Sequence, residues 1–133
     1  MADVRVEIRA ETDIVSSRQA GREIARALGL GTADQTRLAT AISELTRNVV
    51  RYAGSGSCVI EGAAAEGVAS IRVTVEDHGP GIPDIDLAMR DGYSTGGGLG
   101  AGLPGTKRLV DHMEVTSEPG HTVVIVVMNR RLR

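Results

Sequence analysis

"GYSTGGGLGAGLPG" occupies residues 92–105, and seven of its fourteen residues are glycine. Glycine inside a helix or strand costs roughly 0.5–1 kcal/mol relative to alanine, so such a dense run belongs to a loop. The run ends where a helical pattern begins, Leu103 to His112, with Pro104 in the first turn, where a missing N–H costs little. Free N–H groups at a helix start, with no Cβ in the way, favour an anion such as phosphate. The upstream glycines let the loop move over a ligand. A flexible surface connector is the plainer reading, but Leu99 and Leu103 are apolar where such connectors are polar. Two familiar phosphate patterns do not apply. GxxxxGK[ST] is absent, and the GxGxxG formed by Gly100, Gly102 and Gly105 has no strand before it and no acidic residue ending the next strand.

Outward from this run, the chain alternates strand and helix patterns. "DVRVEIRA" places Val4, Val6 and Ile8 on one face of a strand. A first helix carries Ile14, Ala20, Ile24, Ala27 and Leu28, with Thr12 or Asp13 as its cap and Gly29 and Gly31 after it. A second helix, "TADQTRLATAISELTRNVVRYAG", has Leu38, Ile42, Leu45 and Val49 as its apolar stripe, a capping box from Thr32 and Gln35, and Gly54 as its stop. Two strands follow around a turn near Gly67, then a short helix from Pro83 to Arg90, the glycine run, another helix, and a hairpin turning at Pro119-Gly120. The order βαα, ββ, α, ββ predicts a two-layer α/β (α+β) sandwich. Its sheet is mixed and mostly antiparallel, with the helices on one face.

The composition narrows the function. The 133 residues suit one domain spanning 1–133. Apolar residues make up 41%, yet there is no Trp or Phe and only two Tyr, so the core is aliphatic. A net charge of −2 and the missing aromatics speak against a nucleic-acid partner. No apolar run is long enough to cross a bilayer, no signal sequence opens the chain, and Cys58 has no disulfide partner. A cytoplasmic protein is expected.

Two further features carry chemistry. In "VEDHGPGIP", a strand delivers Asp77 into a turn built on Gly79 and Gly81. A carboxylate there can accept a hydrogen bond from an exocyclic amine, and the glycines let a flat ring approach the backbone; a self-capped tight turn is the alternative. On the second helix, Glu44 and Asn48 share one face at the edge of the apolar stripe. They can activate a nucleophile and ligate Mg²⁺, or they can be a solvated polar edge.

Glu44-x-x-x-Asn48, then Asp77-x-Gly79-x-Gly81, then Gly98-Leu99-Gly100-Ala101-Gly102-Leu103 opening a helix is an ordered set. It resembles the N box and two glycine boxes of the GHKL superfamily, whose ATP-binding Bergerat fold is shared by Hsp90, gyrase B, MutL and histidine kinases. The resemblance covers nearly the whole chain. Within the superfamily, "TAISELTRNVVRYAG", "EDHGPGIPDI" and "GYSTGGGLGAGLPGTKRL" look like the small bacterial serine kinases of the RsbT type, from the stressosome. The resemblance implies Glu44 as general base, Asn48 as the Mg²⁺ ligand and Asp77 on the adenine amino group. It further implies Gly79, Gly81 and Ile82 around the base, residues 84–98 as an ATP lid, and Gly98, Leu99, Gly100, Ala101, Gly102 and Leu103 around the phosphates. Thr122 would support adenine through water, although His121 stands where relatives have glycine. The implied substrates are STAS-domain antagonist and scaffold proteins, and the implied output is a PP2C-type phosphatase. An anti-sigma factor with kinase activity shares all three boxes. A nucleotide-gated module without turnover is a third reading, and Glu44 counts against it. Some relatives dimerise, so a homodimer is open.

Overall fold

The computed structural model describes residues 2–82 and 102–132. The expected helix over 83–90, the lid, and Gly98, Leu99, Gly100 and Ala101 lie outside the described residues.

Strand β1 (Ala2–Ile8) leads into helices α1 (Glu11–Ala27) and α2 (Thr32–Asn48). Strands β2 (Gly56–Ala65) and β3 (Val68–Asp77) form a hairpin. Helix α3 (Gly102–Leu109) and the hairpin of β4 (His112–Glu118) and β5 (His121–Arg131) follow. The sheet order is β1-β2-β3-β5-β4, and each of these pairings is antiparallel. The expected element order holds, and the sheet is wholly antiparallel among the described residues.

Period-two patterning builds the inner face: Cys58 and Ile60 on β2, Ile71, Val73 and Val75 on β3, and Val124, Val126 and Met128 on β5 are buried. The helices answer with Ile14, Ile24 and Ala25 from α1 and Leu38, Ala41, Ile42 and Leu45 from α2. Helices α1 and α2 meet at Gly21, where a Cβ would stand 2.2 Å from Ile42 Cδ1. Glycine there is the cost of a close helix crossing.

Both expected helix caps differ in detail. Ala10 is the N-cap of α1, and Asp13 sits three residues inside, where its Oδ2 accepts the N–H groups of Arg9 (2.9 Å) and Ala10 (3.0 Å). The carboxylate thus satisfies helix-start donors from within the first turn. Helix α2 starts on Gly31, with no side-chain cap. Gln35 instead donates its Nε2–H to the Leu30 carbonyl at 2.9 Å, so no capping box forms with Thr32. At its other end α2 widens into a π turn, Val49–Ala53, closed by Gly54 N–H on the Val49 carbonyl at 2.8 Å. The helix expected to reach His112 ends at Leu109, because His112 already pairs with Val127 in the sheet.

Candidate active site

A pocket of about 490 Å³, counting its open mouth, lies between the end of α2, the turn after β3, the start of β5 and the start of α3. Its walls are mainly aliphatic: Leu45 and Val49 from the helix, Val75 and Val124 from the sheet, and Leu103 from α3. Val75 and Val124 are register partners, so they form one continuous floor. Such a slot takes a flat apolar ring, with a few polar groups fixing its orientation.

Three polar side chains on its lining are the expected ones. Asn48 comes from the last turn of α2. Asp77 ends β3, and Thr122 pairs with it on β5, so the two stand side by side. Asp77 Oδ1 accepts the N–H of Gly79 at 2.9 Å, which forms the turn, and its other oxygen has no hydrogen bond among the described residues. Gly81 and Ile82 also line the pocket.

The two turn glycines have distinct steric reasons. Gly79 stands behind the lining; a Cβ there would lie 2.7 Å from Ala53 Cβ, against the π turn. Gly81 has φ +85°, and a Cβ there would lie 2.7 Å from the Glu118 carbonyl oxygen. The turn is thereby pressed between the π turn and the β4–β5 hairpin.

Glu44 is the expected site residue that the pocket does not include. It lies one helical turn before Asn48, half exposed, and its Oε1 accepts from Arg47 Nη1 at 2.9 Å. Its Oε2 has no hydrogen bond among the described residues. Leu103, in the first turn of α3 (Gly102–Leu109), is buried in the pocket wall, so the start of that helix lies at the pocket.

Tyr52 and Ser117 were not anticipated. Tyr52 lines the pocket, and its hydroxyl is buried without a hydrogen-bond partner among the described residues. It lies four residues after Asn48, so helical spacing alone places it on the same face. Ser117 supports the pocket from β4, where only the strand pairing reveals its position. On the outer face of the sheet, His121 Nε2–H donates to Glu76 Oε2 at 2.5 Å. That bond holds the Glu76 carboxyl below its usual range. Deep in the core, burial pushes the Cys58 thiol up to about 12, against a smaller opposing effect of Ser17.

An aliphatic pocket lined by a strand-end carboxylate and a helix-borne amide suits a nucleotide-binding ATPase domain. Residues 33–131 match the family of histidine kinase-, DNA gyrase B- and HSP90-like ATPases. The chain belongs to that family. Within it, the chain is a serine/threonine-protein kinase of the RsbT type. It is 55% identical over 115 residues to the serine/threonine-protein kinase RsbT of Bacillus subtilis, covering 86% of each chain. Solved structures repeat the fold. The RsbU and RsbW domains of a Mycobacterium tuberculosis protein superpose with a TM-score of 0.66 at 20% identity, covering all of this chain and 34% of that one. The catalytic domain of histidine kinase ThkA gives 0.59 at 17% identity, covering 97% and 98%. No helix among the described residues is long and apolar enough to cross a membrane.

Proposed function

We propose that this kinase transfers the γ-phosphoryl group of Mg²⁺-bound ATP to a serine of STAS-domain antagonist and scaffold proteins of a stressosome. The observation that carries the reading is the pairing of 55% identity to RsbT with an aliphatic pocket bearing Asn48, Asp77 and Thr122. The donor set fits the nucleotide. Asp77 offers the carboxylate oxygen that has no partner among the described residues to an exocyclic amine, the Val75–Val124 floor suits a purine face, and the Tyr52 hydroxyl, buried without a partner among the described residues, can take a polar one. Asn48 offers an amide oxygen to Mg²⁺, which prefers hard oxygen ligands and takes others from phosphate. The metal supplies charge neutralisation on the phosphates.

Glu44 is the general base of this reading. Arg47 holds one of its oxygens, and the other, without a hydrogen bond among the described residues, accepts a hydroxyl proton. As the seryl oxygen bonds to the γ-phosphorus, its proton passes to Glu44 and ADP leaves. Gly98, Leu99, Gly100, Ala101, Gly102 and Leu103 enclose the phosphates in the same reading. Released kinase then activates a PP2C-type phosphatase by binding it, in the cytoplasm. The experiment is incubation with Mg²⁺ and γ-labelled ATP, with and without a STAS-domain protein from the same genome. Label on a partner serine is the expected result. ATP binding without transfer to that partner refutes the substrate assignment.

A further inference from the structure

Arginines on the two long helices fall into two groups. Arg26, Arg37 and Arg47 each pair with the acid three residues earlier, Glu23 at 2.6 Å, Asp34 at 2.9 Å and Glu44 at 2.9 Å. Arg18 and Arg22 have Val15 and Gln19 at that spacing, and no ionic partner among the described residues. They lie four apart, with Arg26 four further on, so the three follow one another along one face of α1. Like charges at that spacing weaken a helix. Val15 opens the same row three residues before Arg18. It is 40% exposed, one of two exposed large hydrophobic side chains among the described residues. A row that costs the helix stability and leaves an apolar side chain in water gains nothing from within the chain. An apolar anchor beside unpaired arginines is the composition of a protein-binding surface, and its charge selects an acidic partner.

The place of the row says which partner. Helices α1 and α2 are joined by the short segment 28–31 and run antiparallel, crossing where Gly21 meets Ile42. Arg18 stands three residues before Gly21, and Leu45 three after Ile42, so Arg18 is level with the turn of α2 that carries Glu44 and Asn48. Glu44 is half exposed on that turn. Helix α1 packs on β1 and β2, and none of the three contributes to the lining of the nucleotide pocket. A protein seated on the α1 row therefore reaches Glu44 and leaves the pocket to its ligand.

We propose that the row Val15, Arg18 and Arg22 is the docking surface for the phosphoacceptor protein. An acidic surface of that protein, with an apolar side chain to meet Val15, seats on α1 and brings its serine to Glu44. The inference rests on the reading of Glu44 as the base of a serine kinase.

The test is Arg22→Glu. The new acid has Arg18 and Arg26 four residues to either side, so α1 is at least as stable as before and the melting temperature equals or exceeds that of wild type. A merely structural Arg22 would lower it. Calorimetry should give the wild-type Kd for ATP. With a STAS-domain protein of the same genome as acceptor, KM for that protein should rise about tenfold or more, with kcat at saturating acceptor little changed. Added salt should raise the wild-type KM more steeply than that of the variant. Arg18→Gln carries the same test should Arg22→Glu fail to fold. An unchanged KM overturns the inference and leaves the kinase reading standing; if light scattering then shows an altered mass in solution, the row serves self-association instead. Wild-type protein that binds the acceptor but transfers no label overturns the kinase reading. In that case loss of binding in Arg22→Glu upholds the docking surface, and retained binding overturns it. Wild-type protein that neither binds nor labels the acceptor overturns both.

Discussion

Replacing Gly81 with alanine tests the clamp between the β3 turn and the β4–β5 hairpin. Two costs fall on the new methyl. The backbone at φ +85° is left-handed, which costs an ordinary residue roughly 1–2 kcal/mol. The Cβ would also lie 2.7 Å from the Glu118 carbonyl oxygen, a backbone atom that cannot swing aside, and such overpacking costs about 1–3 kcal/mol. The alternative is to release the turn. That breaks the Gly120–Gly79 and Ile82–Ser117 hydrogen bonds, at about 0.5–1.5 kcal/mol each. Release costs no more than strain, so the turn lifts while the rest of the sheet stays folded. The expected stability loss is about 1–3 kcal/mol by urea unfolding, with nucleotide affinity lost far out of proportion. Gly67→Ala is the control: it has φ +76° but open space around the added Cβ, and it lies at the far hairpin. It should lose about 1–2 kcal/mol of stability and no affinity. Wild-type nucleotide affinity in a folded Gly81→Ala protein would refute the clamp.

Asp77→Asn should leave the turn intact, because an amide oxygen still accepts from Gly79, yet it turns a donor toward the ligand amine. Calorimetry should show nucleotide binding weakened by roughly 2–3 kcal/mol or more, and an unchanged affinity would remove Asp77 from base recognition. Glu44→Ala should bind ATP normally and transfer no phosphate, since the side chain stands outside the pocket; retained transfer eliminates it as the base. Cys58, buried and with its thiol pushed up to about 12, should resist alkylation at pH 8 until the protein is unfolded; rapid labelling of the native protein would contradict the core packing. The Glu76 carboxyl is held below its usual range chiefly by His121, so its stabilising effect is present above the unfolded value near 4.5 and lost as pH falls through the folded one. The stability difference between wild type and Glu76→Gln should therefore vanish in acid, and a difference that persists at pH 2 would assign it to another cause.

What the sequence makes legible is local. The helix carrying Glu44 and Asn48 and the strand ending at Asp77 follow from apolar period, and both lie where expected. The misread caps show the limit of local rules: Thr32 has the right chemistry for a cap, but Gly31 takes the position and Gln35 reaches the Leu30 carbonyl instead. The π turn is not encoded by any period; it carries Tyr52 and Ala53, which line the pocket with Asn48. Ser117 is less legible still. A serine on a half-exposed strand carries no signal of its own; it matters because β4 pairs with β5 and so brings its hydroxyl to Ile82 and Thr122.

The same distinction governs how nucleotide binding couples to folding. Asn48 and Tyr52 are brought together by a helix and need no distant partner. Asp77 and Thr122 are far apart in sequence and adjacent only because β5 pairs with β3. A form of the protein with β5 detached keeps the helical half of the pocket and loses Thr122 from beside Asp77, along with the floor residue Val124. In the proposed reading, nucleotide therefore binds the complete sheet and not this partly opened form. A ligand of that kind stabilises by RT ln(1 + [L]/Kd), about 2.7 kcal/mol at a hundredfold excess over Kd. Hydrogen exchange should show that protection as slowed opening of β5 and β4, whose N–H groups depend on the β3–β5 pairing for their place in the sheet. Amides of the α1–α2 crossing should gain protection only to the extent that they exchange through global unfolding. Equal added protection throughout the chain would mean that β5 never opens alone, and that the two halves of the site are one cooperative unit.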